Sequence, residues 1–190
     1  TQLYTYADYC KIDDGNRYEL INGEIYLMTS PNKNHQRISS NLHIEIGNYL
    51  KGKKCEVFHP PFDVILPKED ETKETATITV QPDIFVVCDE NKLDDYSCVG
   101  APDLIIEILS PSSVKRDKIT KRKLYELNGV REYWIVDPLN QTIDRLYYDE
   151  TLKEYKKTES FYKDDIISPI IFPDLQINLE EIFPQVIEKK

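Results

Sequence analysis

One stretch, residues 101–138, constrains the fold more than any other part of the chain. Leu104 to Leu109 is a short apolar run of the kind found in the central strand of a sheet. Ser110-Pro111-Ser112-Ser113 breaks that strand and offers helix N-caps. A strongly basic helix follows and ends at Asn128-Gly129, and Tyr133 to Val136 is a second strand. The pattern predicts a βαβ unit whose first strand ends beside the start of the helix.

Two carboxylates stand at or inside strongly apolar strands. Glu107 lies within the run just described, and Asp83 precedes the apolar residues 84–87. The two strands could pair side by side, which would bring both acids to the same edge of the sheet. Converging carboxylates repel each other unless one is protonated or a divalent cation lies between them, and Mg²⁺ is the usual solution. The alternative is that each acid is a strand-end cap or an ion-pair partner.

The basic helix carries a third candidate residue. Asp117, Lys121 and Tyr125 recur at intervals of four residues and form a stripe that borders the buried face of the helix. A lysine drawn toward buried carboxylates could hold a nucleophilic water or stabilise the charge of a phosphate. The alternative is an ordinary helix pair between Asp117 and Lys121.

The net charge of −10 argues against a nucleic-acid partner, but the charge is unevenly distributed. Residues 115–123 contain six basic residues and one acid, so this segment carries +5 and the other 181 residues carry −15. Such a helix, with Lys115, Arg116 and Lys118 beside the predicted site, could hold a phosphodiester. The alternative is a solvated helix face.

Length and composition are typical of a single globular domain, here residues 1–190. No apolar run of about 18 residues predicts a membrane span, and the first residues lack the pattern of a signal peptide. Cys10, Cys55, Cys88 and Cys98 are far apart and form no CxxC pair. They predict reduced cytoplasmic thiols rather than a zinc site or a disulfide framework, and we therefore expect a cytoplasmic protein.

Local signals predict the remaining elements. They are a capped helix over residues 6–12, a hairpin at Asn22-Gly23 with Glu19 on its first arm, an amphipathic helix over 34–50 with His35 in its first turn, a strand over 55–66 bent at Pro60-Pro61, a strand over 76–88 interrupted at Gln81-Pro82, a hairpin of 142–148 with 154–158, and a C-terminal irregular strand with a last helical turn.

Together these motifs resemble the Uma family of putative restriction endonucleases, a branch of the PD-(D/E)xK nuclease superfamily. The resemblance rests on YELINGEIYLMTSP, the helix that begins near His35, VQPDIFVV, APDLIIEILSPSS, RDKITKRKLYELNGVREYWIVDP and the closing LEEIF. These segments cover nearly the whole chain in order.

The resemblance implies an α/β, restriction-endonuclease-like fold: a mixed central sheet flanked by helices, with hairpins near both ends of the chain. It matches Asp83 and Glu107 to the acids that bind Mg²⁺, for which Mn²⁺ is a possible substitute. The superfamily's lysine, two residues after the Glu, is replaced here by Leu109. Lys121, on the following helix, is expected in its place. Glu19 matches the family's Tyr-Glu-Leu and is expected as a further ligand, directly or through water.

Two further matches carry less weight. Pro102-Asp103 repeats the Pro-Asp pair, but Asp103 lies four residues before Glu107 on the same strand. At about 3.3 Å per residue the two acids would be roughly 13 Å apart, too far for one metal. His35 also matches the family, but a histidine in the first turn of a helix is more often a cap or an interface residue.

The implied function is Mg²⁺-dependent hydrolysis of DNA phosphodiester bonds, and cleavage of both strands of a duplex would require a homodimer. Two alternatives remain: a non-catalytic binding module of the same fold, which Leu109 and the acidic charge favour, and a metal-dependent hydrolase of a small nucleotide. The residues expected around the substrate are Lys115, Arg116, Asp117, Lys118 and Tyr125, with Asp117 also orienting Lys121.

Overall fold

The computed structural model describes residues 3–156 and 159–184. The elements in chain order are α1 (Tyr6–Tyr9), β1 (Tyr18–Ile21), β2 (Glu24–Leu27), α2 (Lys33–Leu50), β3 (Glu56–Phe58), β4 (Asp63–Ile65), β5 (Thr79–Val80), β6 (Ile84–Val87), a 3₁₀ turn (Glu90–Lys92), β7 (Ser97–Val99), β8 (Leu104–Ile108), a π-helical segment (Arg116–Lys121) continued by α3 (Arg122–Leu127), β9 (Glu132–Asp137), β10 (Thr142–Asp149), β11 (Glu154–Tyr155), β12 (Glu159–Tyr162), β13 (Ile166–Ile167), β14 (Ile177–Asn178) and α4 (Leu179–Ile182).

Two mixed sheets form the framework. The larger sheet has the strand order β11-β10-β9-β8-β6-β3, with β12 also pairing with β10, and the smaller has the order β2-β1-β5-β4-β7. Strands β8 and β9 are parallel and are joined through the helix, so the predicted βαβ unit is confirmed. Strands β6 and β8 are neighbours, as predicted from their sequences, and they run antiparallel.

The central strand β8 is buried on both faces because alternate side chains point to opposite sides of a sheet. Ile106 faces a core that contains Ile38 and Leu42 of α2 and also Trp134. Ile105 faces a second core, which contains Val80 of the smaller sheet. The helix α2 and the smaller sheet therefore cover opposite faces of the larger sheet, and every residue of β8 is buried.

The local signals near the start of the chain give the expected elements, although the capped helix predicted over residues 6–12 ends at Tyr9. Asn22 and Gly23 both have positive φ, as a type I′ turn requires, and they join β1 to β2. The side chain of Asn32 caps α2 by accepting a hydrogen bond from the backbone N–H of His35. The predicted helix over residues 34–50 is thus confirmed within one residue.

The chain passes from one sheet to the other at Pro60-Pro61 and at Gln81-Pro82, a larger change than the sequence indicates. The predicted single strand over 55–66 is wrong: β3 pairs with β6 in the larger sheet, whereas β4 pairs with β5 and β7 in the smaller one. Pro60-Pro61, joined by a cis peptide bond, separates them. Gln81-Pro82 separates β5 from β6 in the same way. Because proline lacks a backbone N–H, each pair ends one ladder and the chain changes sheet there.

The prediction that all four cysteines are reduced is also wrong, because Cys55 and Cys88 form a disulfide bond. Glu56 pairs with Val87 in the β3–β6 ladder, and the same register sets Cys55 opposite Cys88. The pairing was hidden in the sequence because 33 positions separate the two residues and only the ladder brings them together. Cys10 and Cys98 are free thiols.

The C-terminal third follows the predicted pattern. Strands β10 and β11 form the predicted hairpin, whose last two predicted residues, 157 and 158, lie outside the described residues. The tail forms the short ladder of β13 with β14 and the turn of α4, and its apolar side chains join the core beneath α2. Within residues 3–156 and 159–184, no helix combines the length and apolarity needed to cross a membrane.

Replacing Ile106 by alanine tests the importance of β8. Ile106 is fully buried, so Ile106→Ala removes apolar contacts and leaves a cavity, and we expect the free energy of unfolding to fall by about 2–5 kcal/mol. Urea denaturation measures this change. Ile119→Ala is the matched control, because Ile119 is 62% exposed and the same substitution there should change stability by about 0.5 kcal/mol or less. Equal effects of both substitutions would contradict the assignment of β8 to the core.

Candidate active site

The two strand carboxylates meet at the end of β8. Ile84 pairs with Ile106, and the same antiparallel register continued by one residue sets Asp83 opposite Glu107. The backbone N–H of Ile108 donates to Asp83 Oδ2 at 2.8 Å, which fixes this carboxylate beside the strand that carries Glu107. The structure thus brings together the two acids that the sequence identified.

The helix after β8 turns its stripe of polar residues inward. Residues Arg116–Lys121 are π-helical, and the N–H of Arg122 donates to the carbonyl of Asp117. A π-helical turn is wider than an α-helical one and is found frequently at functional sites. Asp117 and Lys121 are each only 3% exposed, so this segment delivers one acid and one ammonium group to the end of β8.

The ammonium of Lys121 lies between two buried carboxylates. Its Nζ donates to Glu19 Oε1 at 2.7 Å and to Glu107 Oε1 at 2.8 Å, and it lies 4.0 Å from Asp117 Oδ1. Glu19, which is 1% exposed, also accepts a hydrogen bond from the backbone N–H of Gln81 and lies 3.7 Å from Arg116. A buried charge is tolerated only when it is paired and hydrogen-bonded, and each of these groups has such a partner.

Four carboxyl groups gather around one ammonium in the cluster of Glu19, Asp83, Glu107, Asp117 and Lys121. Burial raises the pKa of Glu107 to about 8; Lys121 opposes that shift, and Asp117, Asp83 and Glu19 add to it. Burial also raises the pKa of Asp117, again against the effect of Lys121. For Lys121, burial would lower the pKa, but the surrounding carboxylates raise it, so the ammonium keeps its proton. An added cation would be stabilised here because it would relieve the repulsion between carboxylates.

Tyr125 lies beneath the cluster rather than at its mouth. Its hydroxyl donates to Glu107 Oε1 at 2.7 Å, and the residue has no exposed surface. Glu107 Oε1 therefore receives hydrogen bonds from both Lys121 and Tyr125. This position suits Tyr125 to orienting Glu107, whereas the sequence analysis expected it to contact the substrate.

His35 belongs to the cluster although the sequence analysis gave it little weight. Its Nε2 lies 3.1 Å from Asp83 Oδ2. Burial would lower the pKa of His35, but the hydrogen bond and charge of Asp83, together with the charge of Asp117 and the backbone of Ile108, raise it. The Asn32 cap begins α2 at the position from which the histidine reaches Asp83. A first-turn histidine suggested a cap or interface role, and only the packing of α2 on β6 and β8 reveals this contact.

The second Pro-Asp pair has a structural role. Asp103 Oδ2 accepts a hydrogen bond from the backbone N–H of Cys88 at 2.8 Å, and Arg131 lies 3.5 Å from Oδ1. Asp103 precedes β8, whereas Glu107 lies near the end of that strand. Asp103 and Glu107 are therefore at different ends of β8, as expected.

The cluster opens into a small cavity of about 70 Å³. In the described part of the chain, no three His, Cys, Asp or Glu side chains are arranged to hold a metal ion. The ammonium of Lys121 lies between Glu19 and Glu107, where a shared cation would otherwise be placed. The donor chemistry still fits a hard divalent cation, because hydrogen bonds among the described residues leave Asp83 Oδ1 and Glu107 Oε2 without a donor.

Comparisons with known proteins identify similar sequences and a similar fold. A profile of the Uma2 family, described as "Putative restriction endonuclease", matches residues 3–180. An uncharacterised protein of Synechocystis is 31% identical over 133 residues, which span 70% of this chain and 66%, just under two thirds, of that relative. A second Synechocystis protein, also uncharacterised, is 28% identical over 142 residues, or 72% of this chain and 76% of its own length.

A solved structure confirms the fold. The crystal structure of a putative nuclease belonging to DUF820 from Anabaena variabilis superposes with a TM-score of 0.75 at 22% sequence identity. The superposition covers 94% of this chain and 97% of that one. At this identity the similarity establishes the fold alone, and it confirms the predicted mixed α/β, nuclease-like architecture.

The raised pKa of Glu107 predicts a pH dependence of stability. The folded state holds the proton of Glu107 more tightly than the unfolded state does. The contribution of this proton to the free energy of unfolding is therefore complete below the ordinary pKa of 4.5 and is lost as the pH rises to about 8. We expect the free energy of unfolding, measured in metal-free buffer, to fall over this interval. Glu107→Gln should flatten the curve, whereas Glu24→Gln, an exposed control on β2, should leave it unchanged. Parallel curves for wild type and Glu107→Gln would contradict the assignment.

Proposed function

Because the chain belongs to the Uma2 family of putative restriction endonucleases, we propose that it is a Mg²⁺-dependent nuclease that hydrolyses phosphodiester bonds of DNA. The observation that supports this proposal best is the convergence of Glu19 and Glu107 on Lys121, with Asp83 opposite Glu107. Two acids on neighbouring strands can hold the divalent cation of metal-dependent phosphodiester hydrolysis, and a lysine can stabilise the charge that develops on the phosphate. In this chain the lysine comes from the helix after β8 rather than from β8 itself.

Asp83 and Glu107 would hold the cation, and Glu19 would contribute directly or through water. When bound, Mg²⁺ supplies positive charge against the scissile phosphate and favours deprotonation of water; Mn²⁺ could replace it. The oxygens Asp83 Oδ1 and Glu107 Oε2 are the candidates, because no hydrogen bond from the described residues occupies them.

Lys121 would stabilise charge and position the attacking water. Its pKa is raised, so its Nζ carries a proton and acts as a donor or a fixed positive charge rather than as a base. Asp117, 4.0 Å away, would hold the lysine in place, and Tyr125 would orient Glu107 through the hydrogen bond to Oε1.

The basic helix would bind the phosphate backbone. Lys115 and Lys118 are exposed and Arg116 is partly exposed, and all three belong to the segment that begins at the mouth of the cluster. We propose that the chain acts as one domain and that cleavage of both strands of a duplex would require a second copy, related by the two-fold symmetry of DNA.

Cleavage of supercoiled plasmid in Mg²⁺ or Mn²⁺ tests this proposal. We expect wild-type protein to nick the plasmid, and both Asp83→Asn and Lys121→Gln to slow nicking roughly a hundredfold or more, because each removes a charge from the reaction centre. Matched controls are Asp103→Asn, which changes the other Pro-Asp pair, and Lys123→Ala, which changes an exposed lysine of the same helix. Both controls should cleave like wild type.

The outcomes separate the proposal from its alternatives. Loss of nicking in Asp83→Asn alone would keep the carboxylate site and remove Lys121 from the mechanism. A wild-type protein that binds DNA but cleaves no linear, single-stranded or supercoiled form would be a binding module. Hydrolysis of mononucleotides without any cleavage of polynucleotides would assign the site to a small substrate.

The salt dependence of DNA binding tests the basic helix. Each phosphate contact that is lost should reduce the slope of log K against log salt concentration by about 0.9 for duplex DNA or about 0.7 for a single strand. We expect this reduction for Lys115→Ala. Lys123→Ala is the control, because Lys123 pairs with Glu126 at 2.6 Å on the same helix. An unchanged slope in Lys115→Ala would exclude that lysine from the DNA contact.

A further inference from the structure

A second, larger cavity adjoins the candidate active site. It measures about 340 Å³, within the range of about 300–1,000 Å³ that is typical of small-molecule sites. It shares five lining residues with the small cavity, namely Met28, Thr29, His35, Asp83 and Ser110. The two cavities therefore meet at Asp83, and a group bound in the larger one lies next to the reacting centre.

The helix α2 forms one wall of this cavity. Gln36, Ser40 and Ile44 recur every four residues and line it, as do Ser39 and His43. Serine is not a strong helix former. The small side chains of Ser39 and Ser40 leave open a space that bulkier side chains would fill.

The cavity gathers aromatic rings that carry polar atoms. All three histidines of the protein, His35, His43 and His59, line it. The rings of His43 and His59 lie 4.9 Å apart in an edge-to-face arrangement. Met28, Pro31, Ile44 and Pro60 supply apolar surface. Apolar surface combined with aromatic rings and a few hydrogen-bonding groups suits a planar group such as a nucleobase.

The charges of the lining fit a nucleotide better than a run of phosphates. The chain contains 34 acidic residues, but among the described residues that line this cavity Asp83 is the one carboxylate. Within residues 3–156 and 159–184, Arg17 is the one arginine or lysine of the lining. A groove that follows a duplex backbone would need several cations, whereas a single base needs none.

The depth of the cluster also favours a single nucleotide over the backbone of a duplex. Glu107 and Lys121 are each 3% exposed and face a cavity of about 70 Å³. The stacked and paired bases of an intact duplex hold its phosphates on the outer surface, and a phosphate would have to leave that surface to reach these groups. Enzymes that act on a base act on single strands or extrude the nucleotide, and the cost is lowest where the base is already unpaired. A recessed centre that must be reached by a phosphate favours an unpaired nucleotide for the same reason.

We propose that the larger cavity binds the base of an unpaired nucleotide next to the scissile phosphate. The substrate is then a single-stranded or locally unpaired nucleic acid rather than an intact duplex. This inference rests on the proposed function, which it extends by naming the form of the strand. His43 and His59 contact the base. The phosphate lies beside Asp83, where the two cavities meet, and faces Glu107.

Fluorescence anisotropy in metal-free buffer tests the inference by binding alone. The probes are a labelled single strand, the same strand in a perfect duplex, and that duplex with one bulged nucleotide. We expect the single strand and the bulged duplex to bind at least about tenfold more tightly than the perfect duplex. Ser40→Phe fills the cavity and should remove this preference. Glu45→Phe is the matched control, because Glu45 lies on α2 outside the lining.

His43→Ala is a second variant, which enlarges the cavity instead of filling it and should also weaken binding of the single strand. Thermal unfolding identifies any variant that fails to fold, in which case the other variant decides. Equal or tighter binding of the perfect duplex, unchanged binding by both variants, or binding of a free mononucleotide as tight as that of the single strand would each overturn the inference.

Cleavage distinguishes this inference from the proposed function. Asp83-dependent cleavage of a perfect duplex, with no preference for unpaired strands, would retain the nuclease and overturn the cavity's role. Selective binding of unpaired strands without cleavage of any substrate would retain the cavity's role and overturn the nuclease.

Discussion

The buried ammonium of Lys121 is the interaction on which the site depends. It joins Glu19 of β1, 102 positions earlier in the chain, to Glu107 of β8, 14 positions earlier. Because β1 belongs to the smaller sheet and β8 to the larger, one side chain holds both sheets and the helix together at this point. Removing it would leave two buried carboxylates without their cation, which is far more costly than losing an exposed ion pair.

The helical origin of this lysine follows from the packing around Leu109. In the superfamily pattern the lysine lies two residues after the Glu, where this chain has Leu109, which is buried in the same core as Leu124 and Tyr125. An ammonium at that position would be surrounded by apolar groups. Lys121 comes instead from the π-helical segment, and its ammonium reaches Glu107 beside Glu19, a second carboxylate that pairs with it.

Sequence patterns revealed those parts of the fold that depend on neighbouring residues. The Asn22-Gly23 turn, the periodicity of α2 and the apolar run of β8 are local signals, and all three gave the right element. The paired acids were found because a carboxylate inside an apolar strand is costly. The Cys55–Cys88 bond, the change of sheet at Pro60-Pro61 and the contact of His35 with Asp83 depend on residues far apart in sequence, so local patterns could not reveal them.

The acidic composition and a nucleic-acid substrate are compatible because electrostatic repulsion is local. At physiological salt the screening length is about 8 Å, so acids on distant surfaces contribute little at the mouth of the site. Arg116 lines the small cavity of the cluster, and Lys115 and Lys118 are exposed on the same helix. The adjoining cavity contains one carboxylate among its described lining residues. Inside the cluster, burial raises the pKa of Glu107, and the neighbouring carboxylates add to this shift and favour entry of a cation. A net charge of −10 is therefore a property of the whole surface, whereas binding depends on the few charges within a screening length of the strand.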